Sequence, residues 1–450
     1  MFGGSVLIRI NKLGIALACF LPCQVLAQGG ILTLDQALEI ALGQNLSVAN
    51  AELDVSASTD ELEAIKTRRL PSMDVRGGYS DNLKSQSFLF EQGVWGTYPV
   101  IGDVPSQDVS ITSQDGGTSF VSANVSQPLS QLYRIGLGVE QNEVKVEMAG
   151  ERLRMTKTEI ASLVKTNYFD ILQLQSQLQT TEESVLFYQS LQKLVSNYVE
   201  QAVALEYELL DVEARLAYRS AQAVVERNDL VMLKQRFNKL LNRDLAMTFQ
   251  LAELPEIDPE TAAMNLQQAM DLAMEQKPEI AESKLLIKSA ELGYDIKKSE
   301  YIPDVDLRLR YSRLYGTDFI PSTDAYVGVH AKWEFFDWGR KSHELASKEA
   351  DINRSVNKLH ETEESARISV ERSFHSISES RQMLEAARLS EVAAREKLRV
   401  LNNQYVQKVI LLQDVLDAET ELSRASTGYN RAVLAVWKAQ AELKKALGEV

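Results

Sequence analysis

Between Gly150 and Pro255 the chain contains no glycine or proline, and between Arg340 and Gly428 it again contains none. At ordinary usage, near 7% and 5%, a stretch of about 100 residues holds roughly a dozen of them. The residues that fill the gap are Ala, Leu, Glu, Gln, Lys and Arg, all good helix formers. The pattern predicts a helix from about Arg134 to Val203 and a second that returns to about Leu241. It predicts another pair from Lys341 to about Gln404 and from Leu411 to Leu447. The first run would span on the order of 100 Å at about 1.5 Å per residue. Helices of that length imply coiled-coil packing and not a globular core.

The two helical pairs belong to an internal duplication. Leu32 to Ser80 aligns without a gap on Met264 to Ser312, at an offset of 232. Within it Thr33-Leu34-Asp35-Gln36-Ala37 falls on Asn265-Leu266-Gln267-Gln268-Ala269, and Leu70-Pro71 on Ile302-Pro303. Further on the offset is 206: Arg134 falls on Arg340, Tyr168 on Phe374, and Leu210-Asp211 on Leu416-Asp417. The first copy therefore carries about 26 extra residues between Asp81 and Asn124. Each copy opens with a capping-box pair, Thr33 with Gln36 and Asn265 with Gln268, followed by a short helix. Pro278 suits the first turn of the next helix. Pro71 and Pro303 then push the preceding residue towards extended geometry, so helix gives way to strand. The expected division is a first repeat over 28–243, a linker over 244–263 and a second repeat over 264–450.

The strands alternate. Val305, Leu307, Leu309 and Tyr311 share one face, and Asp306, Arg308, Arg310 and Ser312 the other. Val327, Val329, Ala331 and Trp333 oppose Gly328, His330, Lys332 and Glu334, and Val121, Ala123 and Val125 alternate with Ser122, Asn124 and Ser126. A half-buried soluble sheet alternates in the same way. A barrel wall with lipid on one side and a wet lumen on the other also fits, with aromatics at its borders. The pattern alone leaves both open. The inserted segment, 81–118, is rich in Gly, Ser, Asp and Gln and reads as a long extracellular loop; its counterpart, 314–323, is short.

Residues 1–27 read as a secretory signal: Arg9 and Lys12, an apolar run from Leu13 to Leu26, and small residues Val25 and Ala27 before a cut at Gln28. Acylation of Cys19 is the alternative, although Ala16 stands where such sites usually carry Leu. Cleavage removes both cysteines, hence any disulfide or thiolate metal site, and takes the net charge from −15 to about −17. That balance argues against nucleic-acid binding. No later stretch reaches the roughly 18 apolar residues of a membrane-spanning helix. The sequence contains no phosphate-binding loop, nucleophile elbow or zinc-binding histidine pair; His330, His343, His360 and His375 read as solvated. Neither enzyme, cofactor nor metal is expected.

Two copies of helix, β-hairpin and very long helical hairpin resemble the TolC family of outer-membrane efflux and secretion channels. The resemblance rests on the leader Leu34 to Ala41, the Pro71 and Pro303 turns, the exit Phe335-Phe336-Asp337-Trp338-Gly339-Arg340, and Asp414-Val415-Leu416-Asp417-Ala418. It implies a mainly α subunit of a homotrimer in the bacterial outer membrane. Each subunit would give four strands to one 12-stranded membrane β-barrel, continued by a long periplasmic α-helical barrel with an equatorial belt. Lipid, a periplasmic adaptor and an inner-membrane transporter are the implied partners, in tripartite efflux or type I secretion. A periplasmic coiled-coil scaffold or export adaptor is the rival, but such a protein usually resembles one helical hairpin set in β-rich domains.

The same resemblance implies a gate. Asp414 and Asp417 lie three apart on one helix face, and in the family this pair lines the narrow periplasmic entrance. Glu208 and Asp211 are the first-copy equivalents, and Tyr405 matches a tyrosine that helps hold the closed state. A narrow ring of like charge focuses field, favours cations and binds multivalent ones. Two departures stand out: Lys408 replaces the glycine usual at the hairpin tip, with none in Val203-Ala204-Leu205 either, and Ile410 replaces a nearby arginine.

Overall fold

The computed structural model describes residues 30–252 and 265–449, apart from 82, 85, 115 and 318–320. The signal segment with its Ala27–Gln28 junction, and most of the expected linker, lie outside the described residues.

After a two-residue strand β1 (Ile31–Leu32), two helices follow, α1 (Leu34–Gln44) and α2 (Leu46–Thr67). Thr33 caps α1 reciprocally: the Gln36 N–H donates to Thr33 Oγ1 at 3.2 Å and the Thr33 N–H to Gln36 Oε1 at 3.1 Å. Beyond Pro71 the chain extends into β2 (Ser72–Asp81), passes the short strands β3 (Gln86–Phe90), β4 (Thr97–Tyr98), β5 (Gly102–Asp103) and β6 (Val109–Gln114), and returns as β7 (Gly117–Pro128). Two long helices come next, α3 (Gln131–Glu200) and α4 (Glu206–Leu240), then β8 (Gln250–Leu251). The second copy repeats the plan with α5 (Leu266–Gln276), α6 (Pro278–Lys298), β9 (Asp304–Tyr315), β10 (Thr323–Lys332), α7 (Arg340–Val406) and α8 (Leu412–Leu447). Asn265 and Gln268 form the matching cap on α5, and Pro278 occupies the first turn of α6. At 70 residues α3 is on the order of 100 Å long.

The major strands form one antiparallel sheet in the order β10-β9-β7-β2. Its register aligns Met73 with Val125, Val75 with Ala123, Val125 with Leu309, and Leu309 with Val327. One face is thus apolar across all four strands, yet Met73, Val75, Val327 and Val329 are each about two-thirds exposed or more. The opposite face carries Asp74, Arg76, Asn124, Asp306, Arg308 and Arg310, with ion pairs Arg76–Asp74 and Arg308–Asp306. Gly78 leaves room there for its cross-strand neighbour Phe120, whose ring would lie 2.5 Å from an added Cβ. Exposed Tyr79, Tyr311 and Tyr315 border one end of the apolar face, and Trp333, Phe335, Phe336 and Trp338 follow the other. Among the described residues β2 and β10 have no partner along their outer edges.

The insertion differs from the expected loop. Asp81 and Gly117 already belong to β2 and β7, and the span between them folds into two strand pairs, β3 with β6 and β4 with β5. Phe88 faces Ile111 and Phe90 faces Val109, while Trp95 packs on Phe90 at 5.2 Å between ring centroids. These β-branched and aromatic residues supply the pairing that the polar composition concealed. On the short side the connection shrinks to residues 316–322.

Sheet and helices are joined firmly. Ser130 Oγ donates to the Pro303 carbonyl and accepts from the Val305 N–H, both at 2.7 Å. Arg134 pairs with Asp304 at 2.7 Å. At the equivalent second-copy junction Arg340 reaches Glu334 at 2.6 Å and Glu344 at 3.1 Å. Midway along α3, β1 and β8 pair in parallel and α1 covers a core of Ile160, Val164, Tyr168, Phe169, Phe237 and Leu434. The buried Tyr168 hydroxyl contacts the Leu32 carbonyl at 3.1 Å and the Ala252 carbonyl at 2.8 Å, tying the short strands to the long helix.

The Leu32 carbonyl also accepts from the Ala252 N–H at 3.0 Å, so Tyr168→Phe leaves the Ala252 carbonyl without its hydroxyl donor, and the expected loss is about 1–3 kcal/mol. Burial, the dominant cause, pushes the Tyr168 hydroxyl from 10.0 up to about 12, against a smaller lowering by the Ala252 carbonyl. A folded-state pKa raised above the unfolded value gives stability that is complete below pH 10 and is lost as pH rises towards 12. Thermal melts of the purified protein at pH 8 and at increasing alkaline pH check both points. The variant melts lower at pH 8 and loses less between pH 10 and 12 than the unaltered chain.

Candidate periplasmic entrance

The two long hairpins turn at equivalent places. Ala202 and Lys408, at the 206-residue offset, both adopt left-handed backbone, with φ of 56° and 63°. Each turn closes in the same way: the Val203 N–H reaches the Tyr198 carbonyl at 2.8 Å, and the Val409 N–H the Gln404 carbonyl at 3.0 Å. This is the helix-ending turn that usually employs glycine, and a side chain there costs about 1–2 kcal/mol. Contacts offset that cost. Lys408 Nζ lies 4.9 Å above the Tyr198 ring, and the Tyr198 hydroxyl donates to the Val406 carbonyl at 3.1 Å. The Tyr198 and Tyr405 rings stand 6.0 Å apart. The first-copy tip is therefore clasped to the second. Sequence reasoning missed Tyr198 and Ala202; the missing glycine at Lys408 was the one available signal.

Below the clasp lies a shared core of Tyr188, Leu191, Val195, Val212, Tyr405, Leu412, Val415 and Leu416, with Ile410 packed on it. Burial, then Glu208, then Tyr198 push the Tyr405 hydroxyl up to about 12. Glu208 on α4 therefore acts on Tyr405 across the two hairpins.

The four carboxylates have definite local partners. The returning helices begin at Leu205 and Leu411, whose side chains cannot accept a hydrogen bond. Glu208 Oε2 instead accepts from the Leu205 N–H at 3.1 Å, and Asp414 Oδ2 from the Leu411 N–H at 3.2 Å. Each acid thus satisfies an orphan amide at a helix start, where negative charge is also favoured. Asp417 accepts from Gln413 at 2.7 Å, and Asp211 pairs with Arg215 at 3.4 Å. Asp414 and Asp417 are exposed, and Glu208 and Asp211 are half-buried. Both members of each pair emerge beside the shared core, but no hydrogen bond joins one pair to the other.

One turn above Val415, Glu419 is buried. Its carboxylate accepts from Ser184 at 2.6 Å and from Tyr188 at 2.5 Å, and Arg219 stands 3.9 Å away. Burial first, and Glu419 next, push the Tyr188 hydroxyl up to about 12. This bridge fixes α8 against α3. Among the described residues no cluster of three or more His, Cys, Asp or Glu is placed to hold a metal.

The family model described as outer membrane efflux protein matches residues 37–243 and again 269–449, once for each copy. The chain belongs to the outer membrane efflux protein family. It is a channel subunit of the outer membrane extending into the periplasm, and the coiled-coil scaffold reading is set aside. The fold is similar to those of three solved outer-membrane proteins. VceC of Vibrio cholerae has 13% identity and a TM-score of 0.75, over 92% of this chain and 96% of that one. CmeC of Campylobacter jejuni has 14% identity and a TM-score of 0.75, over 92% and 85%. The open state of MtrE of Neisseria gonorrhoeae has 16% identity and a TM-score of 0.71, over 92% and 89%. No curated protein matches the chain significantly.

The cap at Leu411 can be separated from the charge of Asp414. Asp414→Ala removes the acceptor and is expected to destabilise the tip by about 0.5–2 kcal/mol, whereas Asp414→Asn keeps it and costs a few tenths. Amide hydrogen exchange over residues 405–415 reads the difference. Equal protection in the two variants would show that the cap contributes nothing.

Proposed function

We propose that three copies of this chain close one 12-stranded barrel in the outer membrane and continue it as a helical duct through the periplasm. The observation that carries this reading is a four-stranded sheet with an exposed apolar face and two open edges, built into the same chain as helices long enough to cross the periplasm. Four strands are too few to close alone, since small barrels need about eight. The duct works by conduction and not by catalysis. It takes solute from an inner-membrane transporter through a periplasmic adaptor, in tripartite efflux or type I secretion.

In this reading residues 28–243 and 264–450 are the two repeats, joined through 244–263, and the chain is exported with cleavage before Gln28. The inserted segment 81–118 stands at the extracellular mouth. Epitope tags at Val100 are then bound by antibody on whole cells. Binding only after the outer membrane is broken would invert the topology.

Asp414 and Asp417, with Glu208 and Asp211, form the acidic entrance, and Tyr405 belongs to the clasp that holds it. Support comes from the exposure of the α8 pair and its place beside the clasped tips. Asp414→Asn with Asp417→Asn removes the charge while leaving the Leu411 cap an acceptor. The expected result in planar bilayers is reduced cation selectivity and loss of block by trivalent cations, with the assembled channel intact. Unchanged selectivity and block would remove these acids from the constriction.

A further inference from the structure

Above the clasped tips a cavity of about 720 Å³ opens between α4 and α8, floored by Tyr188 of α3. Four arginines line it, Arg215 and Arg219 from α4 and Arg424 and Arg431 from α8. Two are committed: Arg215 to Asp211 at 3.4 Å, and Arg219 to the buried Glu419 at 3.9 Å. Arg424 and Arg431 are exposed and have no ion-pair or hydrogen-bond partner among the described residues. The other nearby acids are engaged elsewhere. Glu421 pairs with Lys397 at 2.6 Å, Asp417 accepts from Gln413, and Glu226 is buried, its Oε1 accepting from the amides of Gln177 and Gln222 while Oε2 has no partner among the described residues. Between the two free arginines stands Gly428, where an added Cβ would meet nothing within 4 Å.

Helix geometry gives the direction in which the cleft opens. Tyr168 points from α3 to the belt of β1 and the segment after β8. Leu186, 63% exposed, lies about five whole turns further along and points the same way. Gln177 and Tyr188 lie about two and a half and five and a half turns from Tyr168, on the opposite side. A duct with three such belts inside its bore would be plugged, so the belt is outside and the cleft faces inward. On α8 the residues Asp417, Arg424 and Arg431 repeat at heptad spacing, so the free cations sit about 10 and 20 Å above the acidic entrance on the same stripe. The equivalents on α4 are Tyr218 and Val225, so this charge belongs to the second copy alone.

We propose that Arg424 and Arg431, with Arg215 and Arg219 across the cleft, form a binding site in the bore for multiply charged oxyanions, solutes bearing phosphate or clustered carboxylate groups. The proposal rests on the channel reading for its place in the bore. Guanidinium groups present paired donors matched to oxyanions, and a concave site within low-dielectric walls strengthens them. Three subunits place six uncommitted guanidinium groups around one axis. The duct would then select twice, with acids at the entrance and cations above it.

The test titrates inorganic pyrophosphate into the detergent-solubilised assembled channel at low ionic strength, read by calorimetry. The unaltered channel binds pyrophosphate. Arg424→Gln with Arg431→Gln weakens binding by about tenfold or more, Arg424→Lys with Arg431→Lys weakens it less, and Asp414→Asn with Asp417→Asn leaves it in place. No binding by the unaltered channel, or equal binding by the glutamine variant, overturns the proposal. If the unaltered channel binds nothing and the glutamine variant falls apart into subunits, these arginines are subunit contacts and the proposal is likewise wrong. Conductance is measured on the same preparations. A protein that binds pyrophosphate but never conducts would refute the channel reading, not the site.

Discussion

The two open edges of the sheet govern the rest of the molecule. β2 and β10 are each ten residues long, so their outer edges offer roughly ten backbone groups apiece to be paired in lipid. Each unpaired group in hydrocarbon costs several kcal/mol. The sum reaches tens of kcal/mol, well above the roughly 4–15 kcal/mol of lost freedom when subunits associate. Closure with other copies is the solution that leaves no edge. Once the strands close around an axis, helices joined rigidly at Ser130, Arg134 and Arg340 must follow the same axis. The helical duct is the continuation of a hydrogen-bonding requirement set in the membrane.

That continuation explains where the chain invests its buried polar contacts. A helix near 100 Å long cannot rely on one core, and α3 is instead anchored at intervals. Arg134 holds its start to β9, Tyr168 its middle to the belt, Ser184 and Tyr188 its lower third to Glu419 of α8, and Tyr198 its end to α7. Three of these anchors are tyrosines or their bonds to backbone, each an apolar body that packs with a hydroxyl that finds a partner. Beyond Gly150 α3 contains no glycine, and the added stiffness keeps the register that the lower anchors need.

Most of this architecture was readable from the sequence. The four long helices begin and end within a few residues of expectation, because their bounds are set by glycine, proline and local caps. The alternation of β9 and β10 gave the two faces, although only the exposure of Val327 and Val329 distinguishes an unburied apolar face from a half-buried one. Two of the misses depend on residues far apart in the chain. Nothing near Ala202 marks a left-handed turn, since the compensation comes from Tyr198 with Lys408 across the hairpins. The caps that Asp414 and Glu208 form at their own helix starts went unread because a leucine at the cap position gives no capping signal; the gate reading of these acids came from the family resemblance. The strands of the insertion were hidden by its polar composition, with Phe88, Phe90, Val109 and Ile111 finding one another only through the register.

The tips show how local strain and charge work together. The proposed gate asks for a duct end that is both defined and able to part, and so for contacts that are few, specific and breakable. Two left-handed residues without glycine raise the energy of the closed turns, and one cation over one ring lowers it again. Stacking of that kind contributes about 0.5–2 kcal/mol, against about 1–2 kcal/mol for each of the two left-handed residues. The clasp between first-copy and second-copy tips therefore offsets only part of the strain. Tyr198 meets Val406 by a single hydrogen bond, while the core of Val212, Val415 and Leu416 just beneath is wholly buried. Separation of the hairpins would start at Tyr198 and Lys408 and stop at that core, leaving the buried Glu419 bridge, and the arginine cleft beside it, intact.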